Sequence, residues 1–306
     1  MNITVIGAGA TGGYFGARLA ESGLNVTFLV RQNRANQLKA NGLVVKSVFG
    51  DLNIKEPQIA LDPKDIPHCD LVLLCLKNYQ LVASFPQIKE LVSKGAKILP
   101  LLNGIEHFEI LTTEFGEENV IAGNCKINST LDSDGTILHT NKLHKLIFGD
   151  ITSSQADFCL QLQHAMSKAI LEITYSQNIW VEIWSKYAFI TVFSGVTTAG
   201  NLTTDLIYQN EATRQMFRRA LDEMNRLAGI YGVSLPDNYV SSNVESLAKL
   251  YPKGTTTSMH QDLKKGLPLE VESFQGAAIR LAARKNLELP IIETLYSLII
   301  PHKLGQ

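Results

Sequence analysis

The sequence predicts an α/β protein with an N-terminal, doubly wound parallel sheet and an all-helical C-terminal part. In the first half, short apolar runs alternate with segments of helical pattern, which is typical of a parallel sheet. Residues 70–76 are apolar almost without interruption, as expected of a strand buried on both faces. From about residue 175 onward, apolar residues recur at helical spacing over long stretches. We therefore predict two domains, residues 1–174 and residues 175–306.

Length and composition limit the class of protein. The chain has 306 residues, which is too long for one ordinary core and fits two domains. Hydrophobic residues make up 45% and charged residues 19%, and the net charge of −1 provides no basic field for nucleic acid. Because the first strand begins at Asn2 or Ile3 and Lys186 interrupts the longest apolar stretch, we expect neither a signal peptide nor a membrane span. We expect a cytoplasmic enzyme, a monomer or homodimer, that acts on a small molecule.

Neither the cysteines nor the histidines have the spacing of a metal site. The four cysteines contain no CxxC pair, so we expect buried thiols in a reducing compartment. The seven histidines are scattered along the chain, without HExxH or a comparable spacing. The sequence therefore predicts no metal.

The predicted elements follow in chain order. Strands are expected at residues 3–6, 26–30, 43–48, 58–61, 70–76, 96–102 and 119–122. Further β-prone segments at 123–129, 137–140 and 146–149 are expected to extend the same sheet. Helices are expected at 14–22 and 85–93, and in the second half at 179–192, 211–231, 238–250 and 269–286.

A glycine-rich loop directly follows the first strand. Its residues, Gly7, Ala8, Gly9, Ala10, Thr11 and Gly12, spell GxGxxG between a predicted strand and a predicted helix. In a dinucleotide-binding loop, the first glycine permits the tight turn, the second lets the backbone approach the pyrophosphate, and the third allows close helix packing. Because strand, loop and helix occur in this order, the pattern favours a Rossmann-type cofactor site over a merely structural turn.

Arg31 occupies the position that distinguishes the two nicotinamide cofactors. It follows the second predicted strand, roughly 20 residues after the loop, where an NAD-binding protein usually has Asp or Glu. A guanidinium can hold the 2′-phosphate of NADP with paired hydrogen bonds, whereas a carboxylate would repel it. The alternative is a solvated charge at a strand end. The sequence favours NADP(H).

Two further strand ends carry polar residues. Lys77 follows residues 70–76, and Asn103-Gly104 follows residues 96–102. The carboxyl ends of parallel strands face the cofactor crevice, so Lys77 can bind a phosphate, a carboxylate or the cofactor, and Asn103 can bind nicotinamide, ribose or substrate. For Asn103, the alternative is a plain Asn-Gly turn.

Lys186 is the only charged residue between Glu182 and Asp205. Its helical neighbours are aliphatic and aromatic, so its ammonium must either reach solvent or point into a cleft. Burial would be costly without a partner, which makes Lys186 a candidate acid or carboxylate ligand. The alternative is a surface ion pair with Glu182, one helical turn earlier.

Glu270 gives a similar signal in the last predicted helix. It lies at the edge of the apolar stripe of residues 269–286, whereas Glu272 projects nearly opposite. The alternative is a carboxylate that is favoured by the helix dipole. The preceding residues 255–262 contain a cluster of hydroxyls, including Ser258, that suits a substrate carboxylate or a helix cap.

With these residues identified, the chain resembles the ketopantoate reductases (2-dehydropantoate 2-reductases) over nearly its whole length. The matching landmarks, in order, are Gly7-Ala-Gly-Ala-Thr-Gly12, Arg31, Leu76-Lys77, Leu102-Asn103-Gly104, Trp184-Ser-Lys186, Thr257-Ser-Met-His-Gln-Asp262 and Pro268-Leu-Glu-Val-Glu272. The resemblance implies a Rossmann-type first domain, a helical second domain and NADPH as hydride donor. It also implies reduction of 2-dehydropantoate (ketopantoate) to pantoate, in pantothenate and coenzyme A biosynthesis.

The resemblance also implies a role for each matching residue. The glycines would hold the pyrophosphate and Arg31 the 2′-phosphate. Lys77 and Asn103 would line the nicotinamide end, and Asn103 would also reach the substrate. Lys186 would be the general acid. Ser258 and Glu270 would bind substrate, and Glu270 would also orient the lysine.

One departure from the family pattern concerns the substrate. The family commonly has asparagines four and eight residues after the catalytic lysine, where this chain has Ile190 and Ser194. Isoleucine removes hydrogen bonds and makes that wall more apolar, although Ser194 can still bind substrate. Ketopantoate is therefore the first candidate and a more apolar 2-oxo acid the second. A non-catalytic NADPH-binding regulator and an oxidative dehydrogenase of a sugar acid or amino acid are further alternatives.

Overall fold

The computed structural model describes residues 1–305, which form two compact units. The first unit comprises Met1–Leu102 and His107–Ile179. The second comprises Asn103–Glu106 and the residues from Trp180 onward. Among residues 1–305, no helix combines the length and apolar character needed to cross a membrane.

The strands and helices are as follows. The strands are β1 (Asn2–Ile6), β2 (Asn25–Leu29), β3 (Leu43–Ser47), β4 (Leu52–Ile54), β5 (Gln58–Ala60), β6 (Leu71–Leu74), β7 (Lys97–Pro100), β8 (Ala122–Leu131), β9 (Ile137–Gly149) and β10 (Glu172–Tyr175). The α-helices are α1 (Ala10–Glu21), α2 (Gln32–Asn41), α3 (Phe85–Val92), α4 (Glu106–Phe115), α5 (Ala156–Met166), α6 (Ile179–Gly200), α7 (Thr204–Gln209), α8 (Glu211–Ile230), α9 (Tyr239–Lys249), α10 (Ser258–Lys264), α11 (Ala277–Ala283) and α12 (Pro290–Ile299). A π turn, Glu272–Gly276, leads into α11.

The first sheet confirms the predicted doubly wound fold. Its strand order is β5-β2-β1-β6-β7, and every neighbouring pair is parallel. β6 is buried along its whole length, as its unbroken apolar sequence predicts. The chain moves outward from β1 to β2 and then returns to β6 on the other side of β1. The carboxyl ends of β1 and β6 therefore flank the switch point, where open α/β sheets bind ligands.

The expected extension of this sheet was wrong. Residues 123–129, 137–140 and 146–149 belong to a second, mixed sheet of order β10-β9-β3-β4, with β8 paired to β9. The last two segments form one continuous strand, β9. The sequence could not show this, because β9 pairs with β3 about 90 residues earlier as well as with its neighbour β8.

The second unit is helical, as predicted, with one correction. Three of the four expected long helices begin within one residue of α6, α8 and α9, whereas the helical region expected from residue 269 begins only with the π turn at Glu272 and continues as α11. Glu270 and Val271 precede the helical region, and the N–H of Gly276 donates to the Val271 carbonyl at 3.0 Å. That bond spans five residues, so the first turn is a π turn.

A buried cluster of aromatic and basic side chains lies between α1 and the second sheet. The Tyr14 hydroxyl lies 3.2 Å from Nδ1 of His144, and the ring of Phe49 stacks on His144 with centroids 3.6 Å apart. His139 packs on Tyr14, and the Arg18 guanidinium lies over the same ring. Burial lowers the pKa of His139 and of His144, and the neighbouring His139 and Arg18 charges lower that of His144 further.

Acidification is expected to destabilise this cluster. Because the folded-state pKa of each histidine is lowered, the unfolded chain binds protons first as the pH falls below about 6.5, and stability is lost. The loss is at most about 1.4 kcal/mol per histidine for each pH unit. Denaturant unfolding at pH 7.5 and 5.5 should therefore show a smaller pH dependence for His144→Gln than for the wild type. His164→Gln, at an exposed position on α5, should keep the wild-type dependence; equal dependence for both variants would contradict the assignment.

Candidate active site

The glycine loop lies against the end of β6. Gly7 has a φ of +95°, and a Cβ there would lie 2.5 Å from the Cys75 carbonyl oxygen. A Cβ at Gly12 would lie 2.8 Å from the Cβ of Cys75. Both glycines are therefore required by the protein's own backbone packing, independently of any ligand.

Gly9 differs from the other two glycines of the motif. A Cβ at Gly9 would meet no protein atom within 4 Å, so the space above it is open. Gly9 is also the N-cap of α1, whose first turn contains no acidic residue. The N–H groups of Ala10, Thr11 and Gly12 have no acceptor within the helix, because they belong to its first turn. The loop thus has the shape and the donors for a pyrophosphate.

Two arginines follow β2. Arg31 is exposed and forms the N-cap of α2. Arg34 is half-buried, and its Nε donates to the Ala8 carbonyl at 2.9 Å while its Nη1 donates to the Gly135 carbonyl at 3.2 Å. Arg34 therefore fixes the glycine loop. The sequence analysis assigned no role to Arg34. A second basic residue three positions after Arg31 could have indicated that this segment contacts the glycine loop.

Lys77 follows the strand that contacts the glycine loop. The Cys75 N–H donates to the Ile6 carbonyl at 2.8 Å, which continues the pairing of β6 with β1 into the loop region. Lys77 lies two residues further on and is half-buried. Because β1, β2 and β6 are parallel, their carboxyl ends lie on the same side of the sheet. The glycine loop, Arg31 and Lys77 each follow one of these carboxyl ends.

In the second unit, α6 carries Lys186 between two anchored residues. The hydroxyl of Tyr239 donates to the Ser185 carbonyl at 2.7 Å, and the hydroxyl of Tyr187 donates to the Phe274 carbonyl at 2.9 Å. Lys186 itself is half-buried. The helix is therefore held on both sides of Lys186, by α9 through the Ser185 carbonyl and by the π turn through the Tyr187 side chain.

The same helix carries Ile190 and Ser194, four and eight residues after Lys186. Ser194 is 3% exposed. Ile190 is half-buried and packs against a cluster of apolar side chains from α10, the π-turn region and α12: Met259, Leu269, Val271, Phe274 and Ile299. The position one turn beyond Lys186 thus lies against an apolar cluster.

Glu270 is 4% exposed and lies between the buried residues Leu269 and Val271. A carboxylate is rarely buried to this degree without a structural or chemical role. The predicted position of Glu270 on a regular helix was wrong, because the residue lies just before the π turn.

Asn103 belongs to the second unit, as the first residue of the segment Asn103–Glu106. Gly104 has a φ of +90°, and a Cβ there would lie 2.8 Å from the Ser273 carbonyl oxygen in the π turn. Arg280 holds Glu106 with two bonds, Nε to Oε1 at 3.0 Å and Nη2 to Oε2 at 2.6 Å. Sequence reasoning missed this pair, because 174 residues separate its partners and neither lies in a local motif.

Ser258 begins α10 and is exposed. The preceding residue, Thr257, is the N-cap, and its side-chain oxygen accepts a hydrogen bond from the His260 N–H. The Thr257 hydroxyl also lies 2.8 Å from the hydroxyl of Thr197 on α6. This contact fixes the start of α10, and with it Ser258, against the helix that carries Lys186.

The second unit thus joins the elements that carry its five predicted site residues. Hydrogen bonds and backbone contacts connect α6, the start of α10, the π turn and the segment Asn103–Glu106. These elements carry Lys186, Ser194, Ser258, Glu270 and Asn103. The first unit separately gathers the glycine loop, Arg31 and Lys77 at one sheet edge. A dinucleotide loop in the first unit, and Lys186 and the buried carboxylate of Glu270 in the second, are suited to hydride-transfer chemistry.

Comparisons with known proteins agree with this architecture. Residues 3–153 match the family model for ketopantoate reductase PanE/ApbA, and residues 178–303 match that of its C-terminal part. The uncharacterized oxidoreductase YkpB of Bacillus subtilis is 33% identical over 297 residues, which is 97% of each chain. The crystal structure of 2-dehydropantoate 2-reductase from Geobacter metallireducens is 27% identical, with a TM-score of 0.92 over 98% of this chain and 99% of that one. A D-mandelate dehydrogenase solved with NADH and anilino(oxo)acetate, 23% identical, shares the fold with a TM-score of 0.88 over 99% of this chain and 98% of that one.

These matches define the class of protein as an oxidoreductase with a Rossmann-type sheet and a helical second unit. The chain belongs to the ketopantoate reductase family, as the resemblance in its sequence indicates.

Gly7 and Gly9 should respond differently to alanine. Gly7→Ala forces a Cβ against the Cys75 carbonyl at a positive φ and should lower the melting temperature by several degrees. Gly9→Ala should change stability by less than about 1 kcal/mol, yet weaken dinucleotide binding by about tenfold or more, because its methyl group occupies the open space. Thermal unfolding and nicotinamide fluorescence titration measure the two effects. Unchanged affinity in Gly9→Ala would exclude a pyrophosphate above this residue.

Proposed function

We propose that this protein is an NADPH-dependent reductase of a 2-oxo acid, with ketopantoate as the first candidate substrate and pantoate as the product. This activity would place it in pantothenate and coenzyme A biosynthesis. The observation that carries the proposal is that the buried Glu270 and Lys186 lie within one helical unit, on elements joined by a hydrogen bond.

The residues have distinct tasks in this mechanism. Bound NADPH supplies the hydride. Lys186 stabilises the negative charge that develops on the ketone oxygen and donates a proton from Nζ to that oxygen. Glu270 orients the lysine and binds substrate, together with Asn103, Ser258 and Ser194. The bonds to the Ser185 carbonyl and from the Tyr187 hydroxyl hold α6 on both sides of Lys186, so its ammonium needs little reorganisation.

The cofactor is held by the first unit in this proposal. Gly9 leaves room for the pyrophosphate, and the N–H groups of Ala10, Thr11 and Gly12 bind its oxygens. Lys77 lies near the nicotinamide end. Arg31 is exposed at the end of β2, where it can reach a 2′-phosphate, and this favours NADPH over NADH.

A more apolar 2-oxo acid is the second candidate substrate. Ile190 lies on an apolar cluster one turn from Lys186 and offers no hydrogen bond to a polar substrate group. The related fold of D-mandelate dehydrogenase, solved with anilino(oxo)acetate, is compatible with an aromatic 2-oxo acid. An apolar site rejects a substrate with an added hydroxyl by only about 10²-fold, so we expect a preference for apolar 2-oxo acids and not the exclusion of ketopantoate.

A panel of 2-oxo acids tests both candidates. Purified protein with NADPH is mixed with ketopantoate, its straight-chain analogues and aromatic 2-oxo acids, and loss of nicotinamide absorbance is followed. Lys186→Ala should lower kcat by about 10²-fold or more, since it removes the general acid. Lys264→Ala, an exposed lysine on α10, is the matched control and should keep wild-type turnover. Near-wild-type turnover in Lys186→Ala would eliminate its role, and no oxidation with any acid would favour the non-catalytic alternative.

Arg31→Ala tests the choice of cofactor. Removal of the guanidinium should weaken NADPH by about tenfold or more and leave NADH little changed, because only NADPH has the 2′-phosphate. Fluorescence titration with both nucleotides measures the two dissociation constants. Lys39→Ala, an exposed residue on the same helix, is the control. Equal losses for the two nucleotides in Arg31→Ala would contradict the phosphate contact.

A further inference from the structure

The π turn changes the direction of the chain that precedes it. The bond from the Gly276 N–H to the Val271 carbonyl encloses one residue more than an α-helical bond. Each residue of an α-helix advances about 100° around the axis, so one extra residue rotates everything before the turn by about that angle relative to α11. Glu270 lies directly before the turn and is re-aimed by it.

Two side-chain bonds connect this turn to α6. The Tyr187 hydroxyl donates to the Phe274 carbonyl at 2.9 Å, and Nε2 of Gln275 donates to the Thr191 carbonyl at 2.6 Å. Tyr187 and Thr191 are four residues apart and lie on the same face of the helix. The N–H of Phe274 in turn donates to the Glu270 carbonyl at 3.1 Å. A short chain of bonds therefore leads from the residue beside Lys186 to the backbone of Glu270.

The buried amide of Gln275 requires a glycine next to it and leaves one of its own polar atoms without a hydrogen bond in the described part of the chain. It is fully buried, and a Cβ at Gly195 would lie 2.9 Å from its Nε2, so the glycine is what leaves room for the amide. Its Oε1 is buried without a hydrogen-bond partner among residues 1–305. An apolar side chain of similar length would avoid that unsatisfied group. The presence of an amide at this position is thus explained by the hydrogen bond that its nitrogen donates to α6.

We propose that Tyr187 and Gln275 are positioning residues that hold the π turn on α6 and thereby set Glu270 relative to Lys186. Neither residue touches the reacting atoms. The inference rests on the proposed function, in which Lys186 and Glu270 act together on the substrate. Loss of either bond loosens the turn, and Glu270 then samples orientations that no longer match the lysine.

Tyr187→Phe is the central test, with Tyr231→Phe as a matched control. The Tyr231 hydroxyl also donates to a main-chain carbonyl, that of Leu281 at 3.0 Å, but beyond the π turn. Both rings pack on Trp184, with centroids 5.7 Å and 5.6 Å away. Tyr187→Phe should lower kcat for the 2-oxo acid by about tenfold or more and leave NADPH affinity unchanged, because small misplacements of catalytic groups cost this much. Tyr231→Phe should keep the wild-type kcat.

Hydrogen exchange supplies a readout that does not depend on turnover. The amides of Phe274 and Gly276 should exchange faster in Tyr187→Phe and in Gln275→Met, but not in Tyr231→Phe. If Tyr187→Phe has the kcat of the wild type, and its Phe274 and Gly276 amides exchange at the wild-type rate, the proposal is overturned. A wild-type protein that oxidises NADPH with none of the acids would end the proposed function, while exchange would still decide whether the two side chains hold the turn. If Gln275→Met does not fold, Tyr187→Phe decides alone.

Discussion

Direct packing of backbone on backbone is the constraint on which both units depend. In the first unit, Gly7 approaches the Cys75 carbonyl so closely that no side chain fits between the glycine loop and β6. In the second, Gly104 approaches the Ser273 carbonyl in the same way. Both glycines have positive φ angles, which residues with a Cβ rarely adopt. These two contacts place the loop and the segment of Asn103, from which the rest of each candidate site is built.

The parts of the structure that the sequence predicted correctly are those that depend only on patterns among neighbouring residues. The glycine loop needs only a strand before it and a helix after it, and β6 is recognisable because it is apolar on both faces. The helix α8 follows from its spacing alone, whereas α6 runs to Gly200, eight residues beyond its expected end at residue 192. The family and the fold are therefore recognisable from the amino-acid sequence alone.

The parts that the sequence did not predict depend on partners far away in the chain. β9 pairs with β3, and Arg280 pairs with Glu106 across 174 residues, so no window of the sequence contains either contact. The π turn is hidden for a different reason. Residues 269–286 have one apolar stripe that fits a regular helix, and only the tertiary bonds of Tyr187 and Gln275 show why an extra residue is accommodated.

The hydrogen bonds of Arg34 have a consequence for the connection between β8 and β9, which carries none of the predicted site residues. Turns at the tips of hairpins usually tolerate changes in length, because little depends on their geometry. Here the connection between β8 and β9 presents the Gly135 carbonyl to the same guanidinium that grips Ala8, and a Cβ at Gly135 would lie 2.5 Å from Nη1. Lengthening that tip by one residue would withdraw an acceptor from Arg34 and leave the loop of Gly9 less firmly held. The length of a peripheral turn thus helps to set the geometry of the glycine-rich loop.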